Sequence, residues 1–141
     1  MDKGEIARAC AEQMLAEDPV SQNLGIQIIS IEPGNAVAVM TVTGDMLNSH
    51  NICHGGIIFT LADSAFSLAS NTYNQRTVAQ HCAISYISPA LLEDRLLAHA
   101  TERHRNKRSG IYDVTVTRGD GTIIAEFRGH SRTIEGRLLP D

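Results

Sequence analysis

The stretch Leu47–Asn71, LNSHNICHGGIIFTLADSAFSLASN, decides how the rest of the chain is read. Up to Cys53 it is polar and irregular. His54-Gly55-Gly56 then opens a run, Ile57–Asn71, with no proline and no further glycine. Apolar residues such as Ile58, Phe59, Leu61, Ala65, Phe66 and Ala69 cover most of the circumference of a helix, and a helix apolar nearly all round is a buried one. Thr60, Asp63, Ser64, Ser67, Ser70 and Asn71 form its polar stripe, at i, i+3, i+4 spacing.

Between Gly55 and Gln75 the one formally charged residue is Asp63. A carboxylate inside such a helix is expensive to ionise, which raises its pKa. Such groups cluster at functional sites, although pairing with a base such as Arg76 would make Asp63 merely structural. Gly55 and Gly56 place bare N–H groups at a helix N-terminus, where the dipole is positive and a carbonyl gathering negative charge is stabilised. The same glycines also serve a sharp turn. Asp63 lies eight residues beyond Gly55, roughly 12 Å along a helix axis. One chain therefore cannot easily bring both to one carbonyl, whereas two copies with antiparallel helices can. Asn48 offers a side-chain donor to the same carbonyl. His54 either orients a substrate or bonds to backbone at the helix start. Cys53 is an unsuitable nucleophile because its nearest base, His54, is adjacent in sequence. His50 and His54 have i, i+4 spacing, but Gly55-Gly56 interrupts a helix through both and no carboxylate stands close, so no metal is expected.

Outward from this stretch the pattern is simple. Asp2–Ala16 carries a helical apolar stripe, and Asp18-Pro19 ends it. Ile26–Glu32 and Asn35–Thr43 read as strands joined through Pro33-Gly34. Strands follow the long helix at Val78–Ile87, Arg95–Arg105, Ile111–Arg118 and Thr122–Ile134. A basic turn, Asn106–Gly110, and Gly119-Asp120-Gly121 punctuate them. In the last strand Ile123, Ala125, Phe127, Gly129 and Ser131 share one face. The expectation is one α+β domain over 1–141, an antiparallel sheet around a central helix.

Composition narrows the function. With 141 residues, 43% hydrophobic and 20% charged, disorder is excluded, and no apolar run is long enough for a membrane span. The N-terminus reads as neither a secretory signal nor a transit peptide. No tryptophan, 4% aromatics and a net charge of -4 argue against nucleic acid. Residues 1–94 hold three basic and ten acidic side chains, residues 95–141 nine and six, so a cationic surface late in the chain suits a small anion. Arg103, His104, Arg105, Lys107 and Arg108 at the basic turn are phosphate candidates, or simply a solvated hairpin tip. Three widely spaced cysteines without CxxC fit a reducing cytoplasm.

LNSHNICHGGIIFTLADSAFSLASN, with AEQMLAEDPVSQNLGIQI before it and HCAISYISPA and RHRNKRSGIYDVTV after it, closely resembles the hotdog-fold acyl-CoA thioesterases, and within them the phenylacetic-acid-degradation (PaaI) family. The resemblance implies a hotdog fold, a long antiparallel sheet wrapped around the Gly55–Asn71 helix. It implies a homodimer with a shared active site, often paired into a homotetramer, working without metal or cofactor. Gly55 N–H and Asn48 would polarise a thioester carbonyl, His54 would shape the pocket, and Asp63 of the facing subunit would act as general base or nucleophile. Gly56, Thr60 and Ser67 would line the substrate, and Arg105, Lys107 and Arg108 would hold the phosphates of coenzyme A. A serine that assists the water in some relatives is replaced here by Ala79, leaving Thr77 or Thr60 as substitutes. The implied substrate is a phenylacetyl-CoA or ring-hydroxylated phenylacetyl-CoA. The competing readings are hydration or dehydration of acyl-CoA on the same fold, and non-enzymatic acyl-CoA binding.

Overall fold

The computed structural model describes residues Met1–Pro140. The elements run α1 (Lys3–Ala16), α2 (Pro19–Asn23), β1 (Gln27–Glu32), β2 (Asn35–Thr41), α3 (Gly55–Ser70), β3 (Thr77–Tyr86), β4 (Arg95–Arg105), β5 (Ser109–Arg118) and β6 (Ile123–Thr133), with a single 3-10 turn at Gly44–Met46. The strands form one six-stranded sheet in the order β1-β2-β4-β5-β6-β3, and every pairing is antiparallel. The α+β architecture expected from the sequence, with an N-terminal helix and a central one, is what the chain forms.

Local chemistry explains each boundary. Asp2 caps α1 by accepting from Glu5 N at 2.8 Å, while Glu5 accepts from Asp2 N at 3.2 Å, a capping box that satisfies two otherwise orphaned donors. Asp18-Pro19 ends α1 as expected, but it also starts a second helix. Asp18 accepts from Ser21 N, and Pro19 occupies the first helical position, where its missing N–H costs nothing. Gly34 turns β1 into β2 with φ of 73°, a conformation that favours glycine.

Helix α3 lies across β2, β4 and β5. Its small residues Ala62, Ala65 and Ala69 meet a sheet face that contains Ala36, Ala98 and Ala100, all fully buried. Small residues on both sides let the helix axis sit close to the sheet. The chain's three phenylalanines join there: Phe59 meets Phe127 edge-on at 5.4 Å, and Phe66 packs 5.8 Å from Phe127 and 5.7 Å from Tyr112.

Two expectations need correction. The helix is not buried all round, because Thr60, Asp63, Ser64 and Ser67 form a half-buried stripe facing away from the sheet core. Ile123 does not share the buried face. A register shift between Val116 and Thr117 in the β5–β6 pairing turns it outward, to 43% exposure, and buries Ile124 instead.

The Phe66 ring lies where a side chain on Gly129 would be, with a Cβ there only 2.8 Å from the ring. Gly129→Ala is therefore expected to destabilise the fold by about 1–3 kcal/mol through overpacking, read as a lower denaturation midpoint at unchanged slope.

Candidate active site

The loop before α3 is tied down residue by residue. Asn48 N donates to Ile52 O at 2.9 Å, Cys53 N to Ala90 O at 2.8 Å and His54 N to Met46 O at 2.8 Å. Asn51 takes the left-handed conformation at φ of 59°, which asparagine tolerates better than most residues. Asn48 Oδ1 accepts from His50 N at 2.9 Å and Ile52 N at 3.4 Å. That fixes the amide orientation and leaves its NH2 group as the free end.

At the start of α3, the N–H of Gly56 donates to His54 Nδ1 at 3.2 Å, and those of Ile57 and Ile58 donate to His54 O. The N–H of Gly55 has no partner among the described residues. It borders an open cleft of about 420 Å³ whose walls include Asn48, Tyr86, Ile52, Ile58, Pro89 and Ala90. An uncommitted donor at a positive helix end, in a largely apolar cleft, is suited to an oxygen acquiring negative charge. Tyr86 O–H donates to Gly55 O at 2.7 Å and so pins this first turn. Its ring would lie 3.0 Å from a Cβ at position 55, so only glycine fits there without displacing Tyr86.

Asp63 faces a different space. A cavity of about 80 Å³ is bordered by Asp63, Ser64 and Ser67 of α3, by Asp18 and Ser21, and by Met14, Leu15, Ile26 and Leu68. Burial, then the nearby Asp18 carboxylate, pushes the Asp63 carboxyl above the ordinary range. Cys82 Sγ lies 4.0 Å from Asp63 Oδ1. No basic side chain among the described residues forms an ion pair with Asp63. Arg76 packs its side chain beside Gly136, and the structural pairing weighed for Asp63 does not form.

The other expected residues divide. Gly55 and Asn48 share the cleft, while Asp63 and Ser67 share the small cavity. Gly56 N–H donates to His54 Nδ1, which engages that ring nitrogen at the helix start. Thr60 Oγ1 donates to Gly56 O at 2.9 Å and Thr77 Oγ1 to Gln75 O at 2.9 Å. The side chain that does approach Asp63 from β3 is Cys82. Arg105 stacks over the Tyr73 ring, 3.5 Å from its centroid, just past the C-terminal end of α3. The basic hairpin of one chain therefore lies at the opposite end of α3 from Gly55. Cys53 is buried, with its thiol pushed up to about 11, which leaves it a poor nucleophile.

The profile of the thioesterase superfamily matches residues 50–125. The acyl-coenzyme A thioesterase PaaI of Escherichia coli is 42% identical over 128 residues, 91% of each chain. The chain belongs to the thioesterase superfamily. Within it this enzyme is a hotdog-fold member of the PaaI family. The solved E. coli PaaI structure superposes with a TM-score of 0.95 over 96% of this chain and 99% of that one, at 40% identity. A mutant of the phenylacetic acid degradation protein PaaI from Thermus thermophilus gives a TM-score of 0.80 at 37% identity, covering 83% and 100%. A Streptococcus mutans protein solved with acetyl CoA gives 0.77 at 28%, covering 79% and 90%. Among the described residues no helix is long and apolar enough to cross a membrane.

A raised Asp63 pKa means that the folded chain holds that proton more tightly than the unfolded one. The ionised carboxylate then costs stability as pH rises from the ordinary carboxylate value through the raised one, and costs nothing below both. Asp63→Asn is expected to melt above wild type at neutral pH and together with it in acid, as read by scanning calorimetry.

Proposed function

We propose that this thioesterase hydrolyses acyl-CoA thioesters, with aryl-acetyl groups preferred, at a site shared between two copies of the chain. The observation that carries the reading is the unclaimed Gly55 N–H in a cleft that contains no carboxylate. The donor and the only acid of α3 open into separate spaces, and a second, antiparallel helix brings one to the other. The β3 strand supports such a pairing. It is an outer strand of the sheet, ten residues long, with Val78 46% and Tyr86 51% exposed. The likeness to the PaaI proteins supports the aryl-acetyl preference, and the largely apolar cleft has room for a ring. Antiparallel pairing also carries the Arg105–Arg108 hairpin of one chain toward the helix start of the other, where the phosphates of coenzyme A are needed. Two such dimers would pair into a tetramer.

In this mechanism the thioester oxygen accepts from Gly55 N–H and the Asn48 amide. Asp63 of the partner subunit removes a proton from water, whose oxygen attacks the carbonyl carbon. The tetrahedral oxyanion, held by the same two donors, collapses and breaks the carbon–sulfur bond. The coenzyme A thiolate leaves and is protonated by the Asp63 carboxylic acid. No metal or cofactor enters the sequence. Hydration of an acyl-CoA would need a free histidine base, and His54 Nδ1 already accepts from Gly56 N–H.

Asp63→Asn is expected to lower kcat about 10²–10⁴-fold with KM little changed, as for a lost general base. Thiol release from a panel of acyl-CoAs measures this, and full activity of the variant would remove Asp63 from the chemistry. The shared site has its own test. Asn48→Ala and Asp63→Asn chains, each nearly inactive, should on equal mixing and reassociation regain roughly a quarter of wild-type activity, because each hybrid dimer rebuilds one intact site. In a single turnover in H₂¹⁸O, the label should enter the first acid released if Asp63 acts as a base. Its absence from that product would mean attack by Asp63 itself.

A further inference from the structure

The small cavity bordered by Asp63 holds a second acid for which the proposed chemistry has no role. Asp18 sits at the junction of α1 and α2, with Oδ1 accepting from Ser21 N at 3.1 Å and Oδ2 from Ser21 Oγ at 2.8 Å. Ser21 is 1% exposed. Its Oγ lies 3.2 Å from Ser64 Oγ. Since the Ser21 hydroxyl proton goes to Asp18, Ser64 must be the donor in that contact. Asp18, Ser21 and Ser64 thus form a directed chain that ties the N-terminal helices to the residue next to Asp63. Both carboxylates border the cavity. Both Asp18 oxygens accept from Ser21, and no basic side chain among the described residues is ion-paired with Asp18.

We propose that Asp18 is a positioning residue for Asp63, a carboxylate held by Ser21 in the same small cavity as the proposed base and tied through Ser64 to its neighbour on α3. The inference rests on the reading of Asp63 as general base. Negative charge in a poorly solvated space favours the protonated form of a neighbouring acid, and a general base works best when its pKa approaches the working pH. Burial and Asp18 together raise the Asp63 pKa, burial being the larger cause. The other titratable group facing Asp63 is Cys82 of β3, whose own thiol is raised by burial and by Asp63 and so remains neutral. Asp18 is then the charged neighbour that distinguishes Asp63 from a carboxylate that is merely buried.

Asp18→Asn tests this cleanly, because asparagine caps a helix as well as aspartate does. In the full-length enzyme, the acid limb of the kcat–pH profile should move to lower pH by about half a unit or more, with the plateau falling less than tenfold. Ser21→Ala breaks the hydroxyl chain but keeps the charge, and its limb should stay at the wild-type pH. An unmoved limb in Asp18→Asn, or an equal shift in Ser21→Ala, would overturn the proposal. A readout independent of turnover separates this from the reading beneath it. The carboxyl ¹³C titration of Asp63, assigned by its loss in Asp63→Asn, should have a lower midpoint in Asp18→Asn than in wild type. If that midpoint falls while Asp63→Asn stays active, Asp18 sets the proton affinity as proposed and the catalytic reading is the one that is wrong. If it does not fall, the Asp18 proposal is wrong whatever the activity.

Discussion

A helix laid along one face of a sheet can bury most of its circumference but not all of it. That constraint organises this protein. The sheet takes the alanine and phenylalanine faces of α3, and the remaining side is left to Thr60, Asp63, Ser64 and Ser67. An acid on that side is half out of water without being locked into the core. The same packing fixes the helix start, since a rod held along its length cannot shift its first turn. Phe66 against Gly129 and Tyr86 against Gly55 are the two points where a glycine lets an aromatic ring seat that rod.

Much of this is legible in the sequence because its punctuation is strong. Pro33-Gly34 and Gly119-Asp120-Gly121 bracket strands, and β4 spans Arg95–Arg105, the bounds its pattern predicts. What escapes a linear reading does so for physical reasons. Pro19 reads as a stop, yet proline stops one helix by the same geometry that starts another. Strict alternation places Ile123 inward, and a bulge leaves no trace in alternation.

The candidate site is legible in its parts and not in its partition. Asn48, Gly55 and Asp63 stand out by residue type, and their separation follows from helical rise. Cys82 does not stand out, because one thiol on an edge strand makes no pattern. Nothing about Asp18 beyond its proline neighbour hints that the chain folds it back onto the middle of α3. Tyr86 belongs to a recognisable segment, yet its hydroxyl contact with Gly55 O depends on how the end of β3 passes the helix start. Side chains that act across elements are set by topology, which a linear reading supplies last.

If the chain pairs through it as proposed, the long outer strand β3, with Val78 and Tyr86 exposed, has a consequence for newly made copies. Newly made copies leave the ribosome one at a time, each with a row of amides and carbonyls open to any extended peptide nearby. For the proposed dimer, finding a twin and being captured by a stranger would be competing encounters. The first gains ground as copies accumulate, so the yield of usable enzyme is set by crowding and expression rate as much as by the strength of the interior.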